Sequence, residues 1–139
     1  MKVFGEFLQD KNKKEINNNK KTSKDQIINQ AFILHSQGNI TEAIKYYQYF
    51  IAQGFNDHKV FSNYANILRD LGKLKEAEFY IRKAIDLQPD YAKAHSNLGN
   101  ILRDLGKLKE AELENQKSID ISFLQNINSK YREDCREKL

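Results

Sequence analysis

Several residue types are scarce in this chain of 139 residues, and each scarcity excludes a class of protein. With one cysteine, Cys135, the chain can form neither an internal disulfide framework nor a multi-cysteine metal site. One proline and six glycines leave few forced breaks, which favours helices. No apolar run approaches the roughly 18 residues of a membrane span, and the first residues lack the apolar core of a signal peptide. We therefore expect a cytoplasmic protein.

The net charge of +4 comes from one end of the chain. Residues 1–24 hold seven lysines and three acids, whereas residues 25–139 hold 16 basic and 16 acidic residues. A fold that binds nucleic acid carries a basic face. The even balance of residues 25–139 therefore argues against nucleic acid as the partner of the folded part.

The N-terminal segment has the composition of a disordered leader. Residues 11–24 read KNKKEINNNKKTSK, and they contain too little apolar surface to offset the conformational entropy of the chain. We expect residues 1–23 to form a solvated Lys/Asn-rich leader. Two alternatives stay open: contact of its lysines with RNA or an anionic membrane, and docking of the short apolar start at residues 3–8.

A 34-residue repeat organises the rest of the chain. Residues 62–78 read SNYANILRDLGKLKEAE and residues 96–112 read SNLGNILRDLGKLKEAE, so that 15 of 17 positions are identical. The same offset aligns a diverged third copy, in which Gly38 corresponds to Gly72 and Gly106. The repeats then span residues 24–57, 58–91 and 92–125.

The period and its pattern resemble the tetratricopeptide repeat family. In the second copy, apolar residues at three- and four-residue spacing draw a stripe down each of two helices, and Gly72 sits where a left-handed helix cap is expected. The residues at the family's signature positions are Tyr64, Ala65, Leu68, Gly72, Ala77, Ile81, Ala84 and Pro89. The resemblance implies an all-α, right-handed solenoid of three helix–turn–helix units.

The last residues predict a cap for this solenoid. Phe123, Ile127, Tyr131 and Cys135 lie four residues apart, and charged residues fill the other faces. We expect residues 123–139 to form a separate capping helix that buries this stripe, because a terminal repeat needs a polar outer face. Cys135 would then be a packing residue without reactivity.

No catalytic constellation is present in the sequence. His35, His58 and His95 occupy different positions within their repeats, and phosphate-loop, dinucleotide-binding and zinc-protease motifs are absent. The glutamates of the repeats stand beside lysines, which is typical of a solvated helix surface. We expect no enzyme activity, no metal, no cofactor and no small-molecule substrate.

In the family that the chain resembles, the first helices line a concave groove that binds extended peptides. The residues at the groove positions here are Asn29, Asn63, Asn97, Asn66, Asn100, Arg69, Arg103, Asp70, Asp104, Lys59 and Lys93. One position is asparagine in all three copies, at residues 29, 63 and 97. Because an amide both donates and accepts hydrogen bonds, it suits a peptide backbone. This series is similar to the asparagine ladder of O-linked N-acetylglucosamine transferases.

A second groove type of the family, the clamp for chaperone C-termini, is poorly matched. Its first two positions require Lys and Asn, but this chain has Ile28 and Phe32. Of the later positions, Asn63 and Lys93 fit and Asn97 replaces a base. The sequence therefore disfavours binding of chaperone tails.

These observations predict a non-catalytic adaptor or scaffold that binds an extended segment of another protein in the groove. The alternative is that the repeats form the front module of a larger glycosyl- or sulfotransferase, which the sequence following residue 139 would decide. A third alternative is end-to-end self-association of the near-identical repeats.

Overall fold

The computed structural model describes residues 23–138, which form six α-helices and no strand. They fall into two compact units that divide between Asn56 and Asp57. Apart from Ser23, the predicted leader lies outside the described residues.

The first unit is a pair of helices that pack against each other, α1 (Lys24–Ser36) and α2 (Ile40–Ala52). A capping box begins α1: the Ser23 hydroxyl accepts from the Gln26 amide at 3.2 Å, and the Ser23 amide donates to the Gln26 side chain at 3.0 Å. The buried core between the helices consists of Ile27, Ala31, Ala43, Tyr47 and Phe50.

The second unit contains four helices: α3 (His58–Asp70), α4 (Leu74–Leu87), α5 (Ala92–Asp104) and α6 (Leu108–Glu137). Each packs against the next in sequence, and α3 also contacts α5. The side chain of Asp57 accepts from the amides of Lys59 and Val60 and so caps the start of α3. Small side chains allow the close approach of α3 and α4, since Ala65 and Ala77 are both fully buried.

The turn between α3 and α4 confirms the predicted left-handed cap. Gly72 has φ of 77°. Its amide donates to the carbonyl of Arg69 at 2.9 Å, and the amide of Lys73 donates to the carbonyl of Leu68 at 2.8 Å. These bonds satisfy carbonyl groups that the helix leaves unpaired at its end.

The prediction of a separate capping helix is wrong. Helix α6 runs without a break from Leu108 to Glu137, because Phe123 stands where Pro89 closes the second repeat and nothing ends the helix there. The predicted stripe is not buried. Phe123 and Tyr131 are 63% and 67% exposed, and Cys135 is exposed.

Candidate peptide-binding face

Four polar residues lie on one side of α5. Lys93, Asn97, Asn100 and Asp104 follow each other at spacings of four, three and four residues, which places them on one helix face. The equivalent residues of α3 are Lys59, Asn63, Asn66 and Asp70. All eight side chains are exposed or half-buried. We call this set of eight residues the α3–α5 polar face.

Two contacts hold α3 and α5 together beside this face. The Asn97 amide nitrogen donates to the hydroxyl of Ser62 at 3.0 Å, and the guanidinium of Arg69 forms an ion pair with Asp104 at 2.5 Å. The two residues on each helix are seven positions apart, which is nearly two turns. The contacts therefore fix the relative position of α3 and α5 at two levels along their length.

The asparagines keep hydrogen-bonding capacity for a ligand. Asn97 uses one amide N–H for Ser62, which is fully buried, and retains its second N–H and its carbonyl oxygen. Asn63, Asn66 and Asn100 are half-buried. These four amides bring donors and acceptors to the same face of the second unit.

The charged residues divide into two groups. Arg69 and Asp104, which the sequence marks as groove residues, pair with each other. Lys59, Lys93 and Asp70 form no ion pair within residues 23–138, and Arg103 contacts the Asn100 oxygen of its own helix at 3.5 Å. The charges of the second group are therefore not neutralised by one another or by Arg69 and Asp104.

Asn29 belongs to the first unit, where it is exposed on α1. The neighbouring Ile28 and Phe32 are half-buried. His35 on the same helix lies 2.9 Å from the hydroxyl of Tyr47, so it contributes to the packing of its own unit. A ladder that joins Asn29 to Asn63 and Asn97 stays a prediction.

A polar contact that sequence reasoning missed lies between α5 and α6. His95, a buried residue, places Nδ1 2.7 Å from Glu114 Oε2 and Nε2 2.7 Å from the carbonyl oxygen of Pro89. The alignment of the repeats at an offset of 34 residues could have predicted this contact. His95 and Glu114 correspond to Phe61 and Tyr80, whose rings stack at 5.9 Å in the preceding repeat.

Within residues 23–138, no three histidine, cysteine or acidic side chains come close enough to hold a metal ion. None of the helices in this part of the chain is both long and apolar enough to cross a membrane. Every buried side-chain nitrogen and oxygen there has a hydrogen-bond partner.

Two family models match the chain. The model described as TPR repeat covers residues 65–106, and the model described as tetratricopeptide repeat covers residues 92–123. No curated protein matches the sequence. The described helices thus carry tetratricopeptide repeats across the second unit.

Solved structures of the same repeat type resemble the chain. The second TPR of Spaghetti (RPAP3) bound to the HSP90 peptide SRMEEVD is 28% identical, with a TM-score of 0.64 over 70% of this chain and 94% of that one. The first TPR of the same protein, bound to the same peptide, is 26% identical, with a TM-score of 0.63 over 70% and 78%. The Sgt2 TPR domain from Aspergillus fumigatus is 21% identical, with a TM-score of 0.63 over 81% and 82%. The fold is an all-α solenoid of helical repeats.

Proposed function

We propose that this tetratricopeptide repeat protein is a non-catalytic, cytoplasmic adaptor that binds an extended segment of another protein along the α3–α5 polar face. One observation carries the proposal. The order Lys, Asn, Asn, Asp recurs on the same face of two adjacent helices, and two side-chain contacts hold those helices in register. A repeated set of polar groups suits a ligand that is itself repetitive, and a peptide backbone is such a ligand.

The asparagines supply backbone recognition. An amide side chain can accept from a peptide N–H and donate to a peptide C=O, so that one asparagine binds one peptide unit. Asn63 and Asn97 would bind successive parts of an extended segment. In the sequence, Asn29 occupies the same repeat position, and we propose that the series is similar to the asparagine ladder of O-linked N-acetylglucosamine transferases.

The remaining charges supply selectivity among segments. Lys59 and Lys93 stand at the beginnings of α3 and α5, whereas Asp70 and Arg103 stand at their ends. A bound segment therefore meets two cations at one edge of the face and charges of both signs at the other. Opposite charges in the segment would bind more tightly, and the gain would fall as salt is added.

The solved structures support peptide binding without identifying the partner. The Spaghetti (RPAP3) repeats hold the acidic HSP90 peptide SRMEEVD. This chain has Ile28, Phe32 and Asn97 at three positions where the chaperone clamp needs other residues. We therefore propose a partner segment other than an acidic chaperone tail.

An affinity capture with two matched baits tests this function. The intact chain and its Asn63→Ala/Asn97→Ala variant are immobilised side by side, and the retained proteins are identified by mass spectrometry. We expect a protein that the wild type retains and the variant loses, and overlapping peptides of that protein should locate one extended segment. Identical sets on both baits, with the variant shown to be folded by circular dichroism, would refute the proposed face.

A further inference from the structure

Two residues of α3 contact α5, but within the described residues their equivalents on α5 contact no following helix in this way. Ser96 and Arg103 occupy the positions of Ser62 and Arg69, 34 residues earlier. On α3 this pair is bound by Asn97 and Asp104. On α5 the arginine is exposed, and no carboxylate within residues 23–138 pairs with it.

The outer face of α6 likewise has apolar residues that no described helix covers. Helix α4 packs against α5, and its Leu74 and Ile85 are half-buried. The equivalent residues of α6, Leu108 and Ile119, are each 61% exposed. An exposed leucine and an exposed isoleucine thus accompany the serine and the arginine of α5. We call these four residues, Ser96, Arg103, Leu108 and Ile119, the C-terminal end face.

We propose that the C-terminal end face binds an amphipathic helix of a partner protein, in the way that α3 and α4 receive α5. The helix has a carboxylate that pairs with Arg103 and, seven residues before it, an amide that donates to Ser96. Between them it presents apolar residues toward Leu108 and Ile119, at the positions where α5 carries the buried Ala94, Leu98 and Ile101. This surface adjoins the α3–α5 polar face at Arg103, whereas Ser96, Leu108 and Ile119 are not part of that face.

In a second copy, the described helices α1, α3 and α5 do not match these requirements. The apolar residues of α3 and α5 are already buried within their own unit. On α1, the equivalents of Ala94, Leu98 and Ile101 are Gln26, Gln30 and Ile33. Two polar residues of three would leave most of Leu108 and Ile119 without apolar contact. For this reason the proposal assigns the face to a helix of a different protein.

The probe for this proposal is a helical peptide with the sequence of residues 91–106. A lactam that joins its positions 99 and 103 keeps it helical, on the side away from the contact, and circular dichroism verifies this first. Titration calorimetry with the full chain should show binding. Leu108→Glu or Ile119→Glu should weaken it by about tenfold or more. Arg103→Asp should weaken it by about fivefold, and a peptide carrying Asp104→Arg should recover that loss.

Leu113→Glu is the matched control. Leu113 is 63% exposed on the same helix, but it lies about 120° round the helix from Ile119. Its equivalent on α4, Phe79, stays 55% exposed although α5 packs against that helix. We expect unchanged affinity in this variant. Absence of binding at about 1 mM helical peptide, or an equal loss in the control, overturns the proposal. So does a dimer of the chain that Leu108→Glu dissociates, because a second copy would then occupy the face.

Discussion

His95 on α5 and Glu114 on α6 form a largely buried hydrogen-bonded pair, with 2.7 Å between Nδ1 and Oε2 and side-chain exposures of 7% and 13%. The second ring nitrogen of His95 lies equally close to the carbonyl oxygen of Pro89. The last repeat thus has a polar pair at the two positions where the preceding repeat stacks Phe61 on Tyr80.

The first prediction is that this polar pair can be replaced by the aromatic pair of the second repeat. His95→Phe alone removes one partner of a buried pair and should lower the free energy of unfolding by about 2 kcal/mol, whereas His95→Phe/Glu114→Tyr should stay within about 1 kcal/mol of wild type or exceed it. Urea unfolding of both singles and the double measures their coupling. Purely additive losses would show that the two residues do not act as a pair.

The second prediction concerns acid stability. Burial raises the pKa of Glu114, but hydrogen bonds from Lys117 and His95 outweigh this and hold the pKa below its ordinary value of 4.5. A lowered pKa in the folded state stabilises the protein above the unfolded value and loses this stabilisation as the pH falls through the folded value. We expect Glu114→Gln to flatten the decline of unfolding free energy below about pH 4.5. An unchanged slope in urea titrations from about pH 6 to about pH 3 would contradict it.

The third prediction separates Asn63 from Asn97. If each asparagine gives a bound backbone two hydrogen bonds, truncation of either to alanine should weaken binding of the captured segment by roughly tenfold to thirtyfold. Only Asn97 also bonds Ser62, so Asn97→Ala should in addition lower the unfolding free energy by about 1 kcal/mol. Titration calorimetry and urea unfolding of the two single variants check both parts. Full affinity in a folded double variant would contradict backbone recognition.

The fourth prediction uses the acidic peptide SRMEEVD as a probe of charge selection. Asp104 neutralises Arg69 in the free protein, and the chaperone clamp is incomplete. Wild type should therefore bind this peptide weakly. Asp104→Asn frees Arg69 and should strengthen binding by about threefold to tenfold at low salt, with little change in stability because a half-exposed ion pair contributes under about 1 kcal/mol. Lys130→Asn, a distant exposed charge change, is the control. Tight binding by the wild type would refute the expectation for chaperone tails.

The fifth prediction tests the turn between α3 and α4. Gly72→Ala introduces no clash, since no atom lies within 4 Å of the added carbon, but it forces a side chain into the left-handed region at φ of 77°. We expect a loss of about 1 kcal/mol. Lys75→Ala, an exposed change in the following helix, should stay within about 0.5 kcal/mol of wild type. Equal melting temperatures for Gly72→Ala and wild type would exclude backbone strain at this position.

The sequence by itself determined the helices and the turns between them. Apolar spacing is read directly along a helix, and a left-handed turn such as the one at Gly72 depends on local conformation. These features need no knowledge of the neighbours. The same reasoning failed at residue 123, where the absence of a terminating residue outweighed the expectation of a new helix.

Only the tertiary structure decided which side chains meet. Equivalent residues of the two repeats are 34 positions apart, yet the contacts of Ser62 with Asn97 and of Arg69 with Asp104 join residues 35 apart. The two helices lie side by side in the same orientation. The residues of α3 that contact α5 are therefore not the repeat equivalents of the residues of α5 that contact α3. A repeat pattern shows which residues correspond, whereas the packing of one helix on the next sets which of them touch. For this reason only the structure showed that Arg69 pairs with Asp104 and that Asn97 spends one of its two amide N–H groups on Ser62.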